Sequence, residues 1–214
     1  MERDALNRIH SRKELKFYIA ADRMMNRGKF KWSWKDRLKH LVAPDYILLY
    51  LKHLRYMQYL TNSKSKSPIW ACQYLYHFLR HRKLGYFLGF SIGYQSLGYG
   101  ANIPHYGTIV VGGDSRIGNY SVVHSSTCVT GQGNVIGNAA YIATGAKIIS
   151  SIKVGDNVRF AANSVTNKDM PGDSIVAGVP SKVVKSAIPW YLRDGQQFTD
   201  RYNACEALRK EMFG

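Results

Sequence analysis

The spacing of apolar residues changes near residue 90. From Tyr46, the residues Leu48, Leu49, Leu51, Leu54, Met57 and Leu60 recur at three- and four-residue steps, which gathers them on one side of a helix. Leu15, Tyr18 and Ile19, followed by Asp22, Arg23 and Met24, follow the same spacing with a mixed face. The polar stretch "TNSKSKSP" at 61–68 ends in proline and predicts a loop. After it, "IWACQYLYHFLRHRKLGYFLG" resumes a helical pattern, with aromatics on one side and Arg80, Arg82 and Lys83 on another. Residues 1–89 therefore read as a helical region.

Beyond Gly89 the step becomes six. Ile117, Val123 and Val129 form one run; after a one-residue slip come Ile136, Ile142, Ile148, Val154 and Phe160. The following residue is often small, as at Gly118, Gly137, Ala143, Gly155 and Ala161. The residue four places on is small or β-branched, as at Ser121, Thr127, Ala140, Ala146, Ile152, Val158 and Ser164. Six residues carry an α-helix off its starting face, and a simple half-buried strand alternates every two. A sustained period of six describes a coiled sheet with short flat sides, three hexads to a coil, stacked by main-chain hydrogen bonds. Each apolar residue points into a narrow prism, and the small residues are expected to let the chain turn its corners. The competing reading, a β-sandwich with regular turns, does not account for the strict step. The tail, "IPWYLRDGQQFTDRYNACEALRKEMFG" at 188–214, reads as a helix with Trp190, Tyr191, Phe198 and Leu208 available for packing, and Pro189 suits an early helical position. The expected fold is mainly β: a coiled sheet of six-residue repeats over 90–185, between an N-terminal helical region at 1–89 and a C-terminal helix at 186–214.

Charge adds one feature. The 214 residues carry a formal net charge of +16. Residues 1–90 hold 19 Lys and Arg against 6 Asp and Glu, whereas the rest hold 11 against 8, so the basic excess belongs to the helical part. Such an excess draws a protein toward anionic lipid or phosphate-bearing substrates. No nucleic-acid motif spacing appears, so nucleic acid is not an expected partner. The apolar run "APDYILLYLKHLRYMQYL" is too interrupted by charge to span a bilayer, and "MERDALNRIHSRKELK" lacks the apolar core of a signal peptide. Cys72, Cys128 and Cys205 make no disulfide framework, and a reducing cytoplasm, with peripheral contact at the inner face of a membrane left open, is the expected setting. Cys128 reads as a small filler of the prism. His77 and His81 stand four apart, but "HFLRH" supplies neither a glutamate nor a third ligand, and no metal site is expected.

At this point the residues 90–185 resemble the hexapeptide-repeat acyltransferases, which implies a left-handed parallel β-helix. The closing run "NKDMPGDSIVAGVPSKVV" at 167–184 strengthens the likeness. Within that group the chain is similar to serine acetyltransferases and to O-acetyltransferases of surface-polysaccharide pathways. The resemblance implies a catalytic histidine thirteen residues before the glycine of an "IG" step. His105 stands thirteen before Gly118 in "PHYGTIVVGGDSRIG". A neutral imidazole there can take the proton of a hydroxyl as the oxygen attacks a thioester carbonyl, then return a proton to the leaving thiolate. The resemblance also implies acetyl-CoA as co-substrate, a homotrimer with sites at subunit boundaries, and CoA contacts at Gly131, Thr144 and Ala162, with Lys168 and Lys182 toward its phosphates. His124 is a second candidate, as an acceptor contact.

Two departures from the serine acetyltransferase pattern shape the expected substrate. The aspartate that orients the histidine in those enzymes is replaced here by Phe90, and the loop after Gly131 is short and carries no second histidine. These differences favour a sugar hydroxyl of a cell-surface (capsular or exo-) polysaccharide, a glycan acceptor, as the expected substrate. Serine O-acetylation for cysteine synthesis is the alternative, and a noncatalytic β-helix scaffold the third reading.

Overall fold

A computed structural model describes residues 8–214. Four helices come first: α1 (Arg12–Arg27), α2 (Trp34–Val42), α3 (Tyr46–Asn62) and α4 (Pro68–Leu88). Ser11 and Glu14 form a reciprocal capping box at the start of α1, and Ser33 and Asp36 do the same for α2. The expected loop is narrower, 63–67, because Thr61 and Asn62 complete α3; Pro68 opens α4 and Gly89 ends it in the left-handed conformation. Sequence periodicity did not reveal α2, which buries none of its residues.

The chain then winds into a left-handed parallel β-solenoid. Its first side stacks β1 (Phe90–Ile92), β2 (Ile109–Val111), β5 (Thr127–Val129), β8 (Lys147–Ile148) and β11 (Val165–Thr166). The second stacks β3 (Arg116–Ile117), β6 (Val135–Ile136) and β9 (Lys153–Val154), extended by bridges at Leu97 and Met170. The third stacks β4 (Val122–Val123), β7 (Tyr141–Ile142), β10 (Arg159–Phe160) and β12 (Ser174–Gly178), closed by antiparallel β13 (Ser181–Ser186). Two C-terminal helices follow, a single turn α5 (Trp190–Arg193) and the long α6 (Gln196–Phe213), where the sequence had predicted one.

The hexad residues line up as expected. Val129 stacks on Ile148, Ile136 on Val154, and Val123 on Ile142 on Phe160, and all are buried. The reason for the small residues differs from the expectation. One column of corners is turned by Tyr120, Ala139, Asn157 and Asp173, with left-handed φ between 51° and 59°, and a second by Ser126, Gly145 and Asn163. Gly137 lies two residues before such a corner, and its glycine is required by the coil above: a Cβ there would approach Gly155 C and Asp156 N to 2.6 Å. Cys128 is also corrected. It pairs with Val110 and Lys147 on the outward side of the first face, half-exposed, while its neighbours Thr127 and Val129 fill the prism.

The helices dock through an apolar seam, in which Ile47, Leu51, Leu54, Leu84 and Leu88 join the solenoid core, and through polar groups. Arg55 of α3 is fully buried, pairs with Asp22 of α1 at 2.7 Å, and donates to the carbonyls of Leu97 and Gly98, both at 2.6 Å. Asp22 also accepts from Ala101 N. Burial pushes the Asp22 carboxyl up, and the Arg55 guanidinium pulls against it. On the opposite side α6 packs on α1, with Cys205 buried against Ala21 and Arg201 donating to Met25 O at 2.9 Å.

Candidate active site

His105 owes its position to an irregularity in the repeat. Inward residues follow one another at six-residue steps through most of the solenoid, but Ile103 and Val111 stand eight apart. The surplus residues bulge out at the corner between the third and first faces, and His105 and Tyr106 are exposed there. The bulge is fastened at both ends. Downstream, Gly107 N donates to Leu88 O and Ile109 N to Gly89 O, both at 3.0 Å. Gly107 adopts φ +126°, a conformation that side chains resist, with Ser125 of the next coil 3.2 Å from where a Cβ would sit. Upstream, the Asn26 amide of α1 donates to Ala101 O at 2.8 Å and accepts from Ile103 N at 3.1 Å. A buried helix side chain thus holds the backbone two residues before the histidine.

On the next coil His124 places its ring 6.3 Å from that of His105, at a tilt of 41°. His124 Nε2 shares a 2.9 Å hydrogen bond with the Tyr141 hydroxyl. Burial, and then the neighbouring His105, hold His124 below the ordinary imidazole value, while Asp194 acts in the opposite sense. The neutral form is therefore favoured at neutral pH. The Tyr141 ring lies between two guanidinium groups, Arg159 at 5.0 Å and Arg193 at 5.2 Å. Arg193 is ion-paired with Asp194. Both reach this corner because Trp190 is buried just before them, its indole N–H donating to Tyr120 O at 2.7 Å. The result is an exposed imidazole beside a second, neutral one, with a phenol, two guanidinium groups and a carboxylate around the latter. That arrangement can accept a proton from a hydroxyl and bind a polar or zwitterionic acceptor.

The structure divides the expected CoA contacts. Thr144 and Ala162 are exposed on the same corner as His105, one and two coils beyond His124, and are linked by the hydrogen bond from Asn163 N to Thr144 O at 3.0 Å. Gly131 and Lys168 instead lie at the other edge of the first face, at the corner where Ser150 packs on Gly131. Lys182 is exposed on β13. A broad groove lined by Phe78, His81, Tyr86, Phe90 and Tyr94 runs between α4 and the first face and meets the histidine corner only at Gly89 and Thr108. Phe90 is buried in that wall, edge-on to Tyr50, so no carboxylate comes from its position.

Sequence reasoning missed Asn26, Tyr141, Arg193 and Asp194. None belongs to the inward hexad positions, and they reach the site from α1, β7 and the end of α5. Arg193 and Asp194 form the turn after Trp190, and that anchoring tryptophan was the one available signal. His53, His77 and His81 do not form a metal centre. His53 and His77 share a 2.9 Å hydrogen bond, His81 lies against Tyr50, and among the described residues no cluster of three ligating groups occurs.

The fold is that of the hexapeptide-repeat solenoids, with its histidine on an open corner. Comparison with known proteins narrows this. The chain is 33% identical over 95 residues to a serine acetyltransferase of Synechococcus elongatus, a match covering 41% of this chain and 39% of that protein. A serine acetyltransferase of Staphylococcus aureus is 32% identical over 107 residues, covering 47% of this chain and 49% of that one. The chain thus spans less than half the length of the curated relatives it matches. Among solved structures, the Neisseria gonorrhoeae serine acetyltransferase shares the fold at 20% identity with a TM-score of 0.60, over 83% of this chain and 69% of that one. No family model matches.

These findings overturn the expected sugar acceptor: the named relatives and structural neighbours are serine acetyltransferases. The expectation had rested on groups missing at two sequence positions. Here Phe90 is buried in the groove wall, and the carboxylate near the site, Asp194 of the C-terminal turn, acts on His124.

Proposed function

We propose that the chain is an acetyl-CoA-dependent O-acetyltransferase acting on the hydroxyl of L-serine, with His105 as general base. The observation that carries this reading is the placement of His105: an exposed imidazole, braced on both sides, on the corner column that continues through Thr144 and Ala162. The similarity to serine acetyltransferases supports the acceptor. His105 takes the hydroxyl proton as the serine oxygen forms a bond to the acetyl carbonyl carbon. The carbon–sulfur bond then breaks, and the imidazolium gives the proton to the departing thiolate. The products are O-acetylserine and CoA, and no bond to the protein is formed.

Thr144 and Ala162 would carry the pantetheine arm along the histidine's own corner, and a serine acetyltransferase has been solved in complex with CoA. Gly131 and Lys168, one corner away, would contact CoA from an adjoining copy, with Lys182 toward the phosphates. This division favours a homotrimer with sites between copies. His124, with Tyr141, would contact the acceptor. The reaction is placed in the cytoplasm, which suits three unpaired cysteines.

The test supplies L-serine and acetyl-CoA to the full chain and follows free CoA thiol. Thiol release matched by O-acetylserine is expected; hydrolysis alone, or no release, contradicts the reading. Light scattering should give the mass of three chains, and a monomer with full activity would remove the shared site.

A further inference from the structure

Helix α2 is amphipathic in the inverted sense. A surface helix ordinarily turns its apolar stripe to the core and its charges to water. In α2, Trp34, Leu38, Leu41 and Val42 fall within an arc of about 100°, and they are 71%, 59%, 80% and 84% exposed. The side turned to the protein is polar. Asp36 accepts from Lys29 Nζ at 2.9 Å, and His40 lies against the Trp32 ring at 4.5 Å while its Nδ1 accepts from Asp45 N at 3.2 Å. The Ser33–Asp36 capping box completes the hold, so the helix is fixed in place with no burial of its apolar side. Lys35 and Lys39 border the stripe on one flank and Arg37 on the other, all exposed.

We propose that α2 is a membrane-contact helix that lies in the interface of an anionic lipid surface, its apolar stripe among the acyl chains and Lys35, Arg37 and Lys39 at the headgroups. Charge selects this occupant over a second copy of the chain. The one acidic residue of α2, Asp36, is turned inward and paired with Lys29, so two copies meeting stripe to stripe would oppose cation to cation. A layer of anionic headgroups complements the same flanks. The inference is independent of the reaction assigned to His105.

The full chain would be floated with phosphatidylcholine vesicles, with and without phosphatidylglycerol, at low and high salt. Binding to the anionic vesicles at low salt and release at high salt are expected. Brominated lipid should quench part of the tryptophan emission in the wild type, and that part should vanish in Trp34→Phe. Replacing both Leu41 and Val42 with Glu should weaken partitioning at least tenfold, a loss on the order of that for two buried aliphatic side chains. Lys35→Glu should weaken it at least about fivefold. All these side chains are exposed, so the melting curve and the acetyl-transfer rate should be unchanged in each variant. Failure of the wild type to float with anionic vesicles would overturn the proposal. So would flotation insensitive to the Leu41 and Val42 changes, or a self-association that those changes abolish in the absence of any lipid binding.

Discussion

The solenoid and the helical region reach stability by different means. In the solenoid, inward residues stack on their counterparts in neighbouring coils, and the six-step positions from Ile117 to Val154 are all Ile or Val. The helical region adds apolar residues of α3 and α4 to that same core, and beside them stand directional polar contacts: the Arg55–Asp22 pair, Gln58 and Asn26, all bonded to backbone of 97–103. The first kind of contact is repetitive and forgiving of position; the second is directional, and it ends two residues before His105. The helices are thus the part of the molecule that sets where the candidate base stands.

The largest effect should come from the directional contact. Arg55→Met leaves the Asp22 carboxyl buried without its partner, and breaking such a pair costs about 3–5 kcal/mol. Chemical denaturation should show that loss, and a cost below about 1 kcal/mol would mean that the pair does not hold the two regions together. In the solenoid, Ile142 sits fully buried between Val123 and Phe160. Ile142→Ala should cost about 2–5 kcal/mol through the cavity it opens, with CoA binding less affected than stability.

Asn26→Ala sharpens the contrast, because it frees Ala101 O and Ile103 N at a cost of about 1–3 kcal/mol but loosens the histidine segment. Acetyl transfer should fall by a larger factor than the stability change accounts for. An activity unchanged per folded molecule would separate the helices from the site.

The smallest effect concerns pH. Burial pulls His53 down to about 3, and His77 and His81 down to about 4, from an ordinary value of 6.5. Between 6.5 and about 4 the unfolded chain binds more protons on these imidazoles than the folded chain does, so stability falls as pH drops through that window. Asp36, held down to about 2 by Lys29 and Ser33, loses its contribution only below that window. Circular dichroism melts from pH 7 to 4 should show the decline, and His81→Phe should flatten it.

The solenoid was legible because its stacking imposes one residue type every six positions, and Ile136 through Phe160 follow that step without interruption. His105 was found by its register before Gly118, where the two additional residues between Ile103 and Val111 displace it from the wall. Asn26, Tyr141 and Asp194 left no such trace. Each acts through a contact between segments distant in the chain, as in the bond from Asn26 to Ala101, 75 positions away. Helix α2 went unnoticed for a related reason: its apolar residues repeat at helical spacing but face water. The acceptor was misjudged because two departures from the serine acetyltransferase pattern, Phe90 and the short loop after Gly131, were weighed above the likeness itself.

The account rests most on His105, and a His105→Ala variant tests it most directly. With L-serine and acetyl-CoA supplied, the rate of CoA thiol release should fall by about 10²–10⁴-fold, with the melting curve and CoA affinity preserved, since the side chain is exposed and outside the prism. Turnover within a few-fold of the wild type would contradict the assignment of that imidazole as the base.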